Sequence, residues 1–416
     1  ILWTSNIVLP AVAEEVGLKV SPFGGWISLM IEMLAKKSDF IIGVAMRSES
    51  TQLQRIHKNG ISYYAIPQRF FNRFDISQAD CDWVLNDFAP DILHVEGAEM
   101  QYSRRFLSSW KGIRLLSMQG VLNGYSPYEM GRLPTLSVFD LRYPHVALTI
   151  LVLAINRALR FNPRLKHERN AMLLSAHIMG RTLWDQAQAK WLNPDATYHH
   201  CSRVLRDVFY KKKWAIDSCN KFSIFIGNAA VPRKGAHFAL HALALLKKDF
   251  PEVKMYFAGE DLAKLPFHSI TKYFGYPAYL HYLIKKLGLD DSVVFTGLLG
   301  AEAMAEKMLE SNVFLMSSVI ENSPNTLGEA MMMGVPVVSA YAGGAPSMAS
   351  DEHEALFYRA DDPAMLAHQV KRIFYDDGLA LRLSKAASNR AMITHSPDKN
   401  LEALVSAYKT ILSEKD

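Results

Sequence analysis

Cysteine is scarce in this 416-residue chain. Its three residues, Cys81, Cys201 and Cys219, form no CxxC pair and no metal-ligand spacing. That argues against a disulfide framework and a zinc module, and for a reducing compartment. Charge imbalance is also slight. A formal net charge of +5 is small for this length and does not suggest a nucleic-acid binder, although it suits anionic substrates or an anionic membrane surface. Long apolar runs are missing as well. The longest, "VALTILVLAI" from Val146 to Ile155, is about ten residues, too short to span a bilayer as a helix. The opening "ILWTSNIVLP" has no basic n-region or cleavage site, so no secretory signal is expected. A cytoplasmic location is expected, with the inner face of the membrane as the place for any peripheral contact.

What is present is globular. Half of the residues are hydrophobic and 21% are charged, and the length suggests two domains of roughly 200 residues each. Short apolar runs alternate with helical patterns. "ILWTSNIVL", "DFIIGVAM", "ISYYAIP", "DILHVEG" and "IRLLSMQG" read as strands, with "GGWISLMIEMLAKK" as a helix between the first two. This rhythm marks a parallel sheet covered by helices on both faces. A lysine-bearing stretch, "KKKWAIDSCNK", reads as a linker, and the rhythm then restarts. "FSIFIGN", "VKMYFAG", "SVVFTG", "VFLMSS" and "VPVVSA" are the strands of the second half. In open α/β sheets ligands lie beyond the carboxyl ends of the strands, and with two such domains the cleft between them is the default site.

The most informative segment is "VIENSPNTLGEAMMMGVPVVSAYAGGAPSM", Val319 to Met348. Asn322 and Ser323 are good N-caps and Pro324 suits the first helical position, with Gly334 as the stop. The helix start then presents free N–H groups, near Ser323, Asn325 and Thr326, as a site for phosphate. Glu329 lies about five residues inward, roughly 8 Å along the axis. That layout suits a nucleotide sugar, with diphosphate at the helix end and ribose further along. Glu321, just outside, would face the sugar. Taken alone, the pair reads more readily as structural, a cap-flanking glutamate and an exposed helical one. Met331 to Met333 read as core.

"ENSPNTLGEA" followed by "GVPVVSAYAGG" closely resembles the E-x7-E signature of retaining glycosyltransferases of family 4. The likeness is sharpest over Val293 to Met348, with further elements along nearly the whole chain. It implies an α/β GT-B fold, with two facing Rossmann-like domains, parallel sheets and a C-terminal helix crossing back to the first domain. The expected divisions are 1–205 for the acceptor domain, 206–221 for the linker, 222–395 for the nucleotide-sugar domain and 396–416 for the crossover helix. In "GNAAVPRKG", Lys234 matches the family's diphosphate-gripping lysine, while Asn228 stands where the family usually has arginine, so one phosphate contact is lost or is supplied by Arg233. Gly24 and Gly25 match a turn where backbone approaches the acceptor and the donor sugar-phosphate. Leu299, after "SVVFTG", is placed with the donor residues. In "SMQG", Gln119 replaces the family's histidine. It can hydrogen-bond a sugar hydroxyl but cannot exchange protons near neutral pH.

The resemblance thus implies retaining hexosyl transfer from a UDP- or GDP-sugar to a glycan or lipid-linked acceptor in surface polysaccharide synthesis. No cofactor or metal is expected. Lys234, the helix start and Arg233 would stabilise the leaving diphosphate, Glu321 the sugar and Glu329 the ribose. Two alternatives stay open: a GT-B enzyme with phosphate or sugar phosphate as acceptor, and a non-catalytic sugar-nucleotide binder. Arg181, after the predicted strand "AMLLSAH", is an acceptor-phosphate candidate, against a plain Arg181–Asp185 helical pair. "DCD" at Asp80 to Asp82 matches a metal-binding DxD but reads better as a helix start with Asp80 as N-cap. His199 and His200 read as structural. The basic residues Arg157, Arg160, Arg164, Lys166 and Arg169 beside the apolar run suit an anionic membrane interface or a solvated helix end equally.

Overall fold

The computed structural model describes residues 1–19, 25–37, 39–70, 72–133, 144–259 and 275–414. The chain divides into two compact units. The first gathers Ile1–Gly124, Asn162–Arg206 and His395–Asp416, and the second gathers Tyr125–Phe161 and Asp207–Thr394.

Among the described residues the first unit has nine strands: β1 (Leu2–Ser5), β2 (Ile42–Ser48), β3 (Gln54–Lys58), β4 (Ile61–Arg69), β5 (Asn72–Ile76), β6 (Ile92–Glu96), β7 (Ile113–Ser117), β8 (His177–Gly180) and β9 (Thr197–His200). They lie in the order β3-β4-β2-β1-β6-β7-β8-β9, with β5 on β4. From β4 to β9 every pairing is parallel. The central strands β1 and β6 are buried at every residue, as strands covered on both faces must be. Only β3 and β5 run antiparallel, both against β4. Asn59 and Gly60 join β3 to β4, both with positive φ, the two-residue turn that matches the strand twist.

The last helix, Pro397–Ser413, belongs to the first unit. Its buried residues Leu401, Leu404, Ala407, Tyr408 and Ile411 recur at helical spacing. Its Tyr408 hydroxyl lies 2.6 Å from His94 Nδ1 on β6, and Ser117 Oγ on β7 lies 2.9 Å from His94 Nε2. Burial holds the His94 imidazole neutral, with its pKa lowered to about 3.

The second unit carries β10 (Asn220–Ile226), β11 (Lys254–Phe257), β12 (Val293–Phe295), β13 (Ser311–Met316), β14 (Val337–Ala340) and β15 (Leu356–Tyr358). The order β12-β11-β10-β13-β14-β15 is parallel throughout. This is a doubly wound sheet, and its strand order reverses between β10 and β13, where such sheets hold their ligands.

Three expectations change. Residues 125–161, expected in the first domain, pack within the second unit. There the helix Pro144–Asn156 lies on the helix Tyr276–Lys286, and Thr149 Oγ1 donates to Gly275 O at 3.1 Å. The expected linker is not free-standing. Trp214 is buried in the second unit, its indole N–H donating to Ser311 O and its amide to Met333 O. The predicted strand "AMLLSAH" takes in the last three residues of the helix Asn162–Leu173 and the turn after it, and the strand begins only at His177. Glu168 holds this helix in place. It is fully buried and accepts the N–H groups of Leu122 and Asn123 at 2.7 Å each.

Candidate active site

The loops after β10 and β13 meet at the switch point of the second sheet and line one cavity. Its walls include Asn228, Lys234, Ser318, Glu321, Pro324 and Thr326. Steric fit dictates where glycine stands. Gly235 has φ +71, and a Cβ there would come within 1.9 Å of the Ser317 carbonyl oxygen. Gly343, in the turn "AYAGG", would meet the Glu321 carbonyl at 2.0 Å. Hydrogen bonds stitch the two loops together. Ser317 Oγ donates to Lys234 O at 2.8 Å, and Val319 N–H to Arg233 O at 2.8 Å. These contacts bring Lys234 Nζ onto the Glu321 carboxylate. Ser318 Oγ donates to the same carboxylate oxygen at 2.7 Å.

Glu321 therefore does not cap a helix. The helix runs Asn325–Met333, with Pro324 at its N-cap position and no side-chain cap. The start is later than Asn322 and Ser323 would set it, because Pro324 is held extended at ψ 116. Gly334 ends the helix in the left-handed conformation, as its position suggests. Ser323 and Asn325 flank Pro324 at this end, and the Pro324 carbonyl accepts the N–H groups of Leu327 and Gly328 at 3.0 and 3.3 Å. Glu329 is 2% exposed, so it is no ordinary solvent-facing helical residue. Met331 to Met333 are core.

Other candidates are placed elsewhere. Arg233 does not line the cavity. Its Nη1 reaches both carboxylate oxygens of Glu129, at 3.1 and 2.9 Å. The Asn228 carboxamide lines the cavity yet accepts the Ala230 N–H at 2.9 Å, closing its own turn. Leu299 sits half-buried between β12 and the helix Ala301–Leu309, two strands from the switch point, and is not on the cavity wall. Gly25 is the first residue of the helix Gly25–Ala35, and Gly24 lies outside the described residues.

The first unit has its own switch point, between β1 and β6. A small cavity there is lined by His94, Glu96, Ser117, Arg181, Ser202 and Arg203, among others. Glu96 ends β6, is 3% exposed, and lies 3.9 Å from Arg203. Burial pushes its pKa up, against the opposing charges of Arg203 and Arg181 and hydrogen bonds from Ser117 and Gln119. Gln119 thus stands beside a buried carboxylate. Sequence reasoning missed Glu96, although a glutamate closing the apolar run "DILHV" was the available signal. Arg181 combines features of both readings. Its backbone N–H donates to Asp185, while its guanidinium lines the cavity and donates to Met118 O. Asp185 closes a capping box with Thr182 on the helix Leu183–Leu192.

The helix Gln78–Phe88 starts at Ser77, whose Oγ accepts the Asp80 N–H at 3.0 Å, so Asp80 is inside the first turn and not the N-cap. Asp82 accepts from Gln78. His199 Nε2 lies 3.2 Å from His177 Nδ1. Among the described residues no group of three or more His, Cys, Asp or Glu side chains is placed to hold a metal ion.

Two doubly wound sheets, with the last helix returned to the first unit, define an α/β protein of the GT-B fold. Solved glycosyltransferase structures share it. Sucrose-phosphate synthase from Thermosynechococcus elongatus superposes with a TM-score of 0.73 at 14% identity, over 99% of both chains. HepE from Anabaena, solved with UDP and glucose, does so at 0.66 and 14% identity, over 98% of this chain and 99% of that one.

The sequence narrows the class further. Residues 208–390, within the second unit, match the family model "Glycosyl transferases group 1". A D-inositol 3-phosphate glycosyltransferase of Streptomyces bingchenggensis is 28% identical over 160 residues, 38% of this chain and 34% of that protein. The match thus spans about a third of the relative's length.

Proposed function

We propose that this chain is a retaining, metal-independent hexosyltransferase. It would move a hexose from a UDP- or GDP-sugar to a glycan or lipid-linked acceptor in surface polysaccharide synthesis. The observation that carries this reading is the cavity where Lys234, Glu321 and the start of the helix Asn325–Met333 converge. It lies within the segment that matches the group 1 family.

In this reading the diphosphate lies against Lys234 and the helix N-terminus, which supply positive charge as the leaving group departs. Glu321, drawn from Lys234 by the incoming donor, accepts hydroxyls of the sugar. Glu329 accepts the ribose diol. The bond from the anomeric carbon to phosphate oxygen breaks, and a bond to the acceptor oxygen forms on the same face. The acceptor's proton passes to the departing phosphate oxygen, so no enzymatic nucleophile is needed and Gln119 in place of histidine is tolerated.

A thermal-shift screen against UDP-, GDP- and ADP-sugars tests this. Only the cognate donor should stabilise, by about 2.7 kcal/mol at a hundredfold excess over Kd. No shift with any of them sinks the reading. The anomeric configuration of the product, read by NMR, tests retention.

A second reading keeps the donor and makes the acceptor a sugar phosphate. It is favoured by Arg181 and Arg203 lining one cavity of the first unit. The names of the matched synthase and inositol-phosphate transferase point the same way. Comparing phosphorylated and free sugars as acceptors separates the two readings by product.

Peripheral membrane contact belongs to the lipid-linked reading. Leu148, Leu151, Ile155 and Leu159 are exposed at near-helical spacing beside the exposed Arg160. No helix among the described residues is long and apolar enough to cross a membrane. Flotation with anionic against neutral vesicles tests the contact, and equal recovery from both removes it.

A further inference from the structure

The loop that presents Lys234 is braced by a segment from far upstream in the chain, Tyr125–Leu133, which packs within the same unit. Gly131, at φ +64, lies so close that a Cβ would come within 2.3 Å of the Pro232 carbonyl oxygen. The Gly131 carbonyl lies 3.0 Å from His237 Nε2. A carbonyl can only accept, and burial keeps the imidazole neutral, with its pKa lowered to about 3. The proton is therefore on Nε2, and Nδ1 accepts the Tyr276 hydroxyl at 2.8 Å. Arg132 adds an ion pair to Asp361 at 2.5 Å. Glu129 completes the dock on Arg233.

Arg233 is where these contacts meet. Its side chain is held by Glu129, its carbonyl by the Val319 N–H, and its neighbour Lys234 by Glu321. The pair with Glu129 is largely shielded, at 28% and 19% side-chain exposure. A direct phosphate contact would require breaking this pair.

We infer that Glu129 is a positioning residue for the donor site. Through Arg233 it holds the loop 227–235 so that Lys234 faces the cavity, and Arg233 acts through this ion pair without touching the donor. The inference rests on the donor-site reading of that cavity.

Titration calorimetry with UDP and GDP on the full chain tests it, alongside the thermal midpoint of each variant. Glu129→Ala and Arg233→Ala should each weaken the nucleotide that the parent binds by about tenfold, and the double variant should be no worse than either. The swap Glu129→Arg with Arg233→Glu should recover most of the loss, with thermal midpoints near the parent's. Loss in Arg233→Ala with unchanged binding in Glu129→Ala would show that Arg233 touches phosphate itself, overturning the inference. A swap that recovers nothing overturns it too, as do losses that only follow a falling midpoint. If the parent chain binds neither nucleotide, the donor-site reading itself fails, a result distinct from parent binding that Glu129→Ala leaves unchanged.

Discussion

The Glu321 carboxylate accepts from Lys234 and Ser318, and not from the helix that begins four residues later. The two loops that carry Lys234 and Glu321 lie on either side of the strand-order reversal, so the pair marks the ligand end of the second sheet. In the proposed reading, the carboxylate held by Lys234 exchanges that partner when the donor diphosphate arrives.

Replacing Glu321 by Ala should lower kcat by about 10²- to 10³-fold while leaving nucleotide binding nearly intact. Lys234→Ala should instead weaken nucleotide binding by about ten- to a hundredfold, the loss of one charge-assisted contact. Steady-state kinetics beside calorimetry with UDP or GDP distinguish the two. Unchanged turnover in Glu321→Ala would end the proposed role.

Gly235→Ala should destabilise the second unit by about 2 kcal/mol or more. The left-handed backbone at φ +71 already disfavours a side chain, and the Ser317 carbonyl leaves no room for one. Denaturant unfolding of the variant against its parent measures this. Gly288→Ala is the control, with φ +64 and open space around its Cβ position, and should lose less.

Tyr408→Phe should cost about 1–3 kcal/mol, because it leaves His94 Nδ1 buried without its hydroxyl partner. The His94 pKa, about 3 when folded against 6.5 ordinarily, means that the neutral form is the one the fold accepts. Its contribution to stability is present above about pH 6.5 and is lost as pH falls towards 3. Midpoints of chemical unfolding, measured at neutral pH, report the Tyr408→Phe cost.

Glu168 supplies the opposite pH dependence. Burial pushes its pKa from 4.5 up to about 7. Between these values the folded chain holds the proton more tightly than the unfolded one, so this group's contribution falls as pH rises from 4.5 to about 7. Glu168→Gln removes the titration. The thermal midpoint of Glu168→Gln, relative to the parent, should rise between about pH 5 and about pH 8.

Several parts of the fold were legible along the chain. The buried strands of both sheets stand out as apolar runs, and the helix Pro397–Ser413 shows its apolar stripe. β3 was missed because "QRIHK" has an alternating, half-exposed pattern at a sheet edge, although Asn59-Gly60 was a usable turn signal. Four-residue β8 was hidden by the helix end before it, whose apolar Met172 to Leu174 imitate a strand. β15, with three residues, is too short to show any period.

Local pattern by itself determined that this is a two-domain α/β protein. It also placed Lys234 and Glu321 in loops after strands and Glu329 inside the following helix, since burial periodicity and turn chemistry act over a few residues. What only the tertiary structure decided is which distant groups meet. It brought Lys234 to Glu321, drew Arg233 away to Glu129, placed residues 125–161 in the second unit, and set Glu96 beside Arg203. Those pairings depend on strand order and on close packing between segments far apart in the chain, and neither leaves a trace in the local spacing of residues.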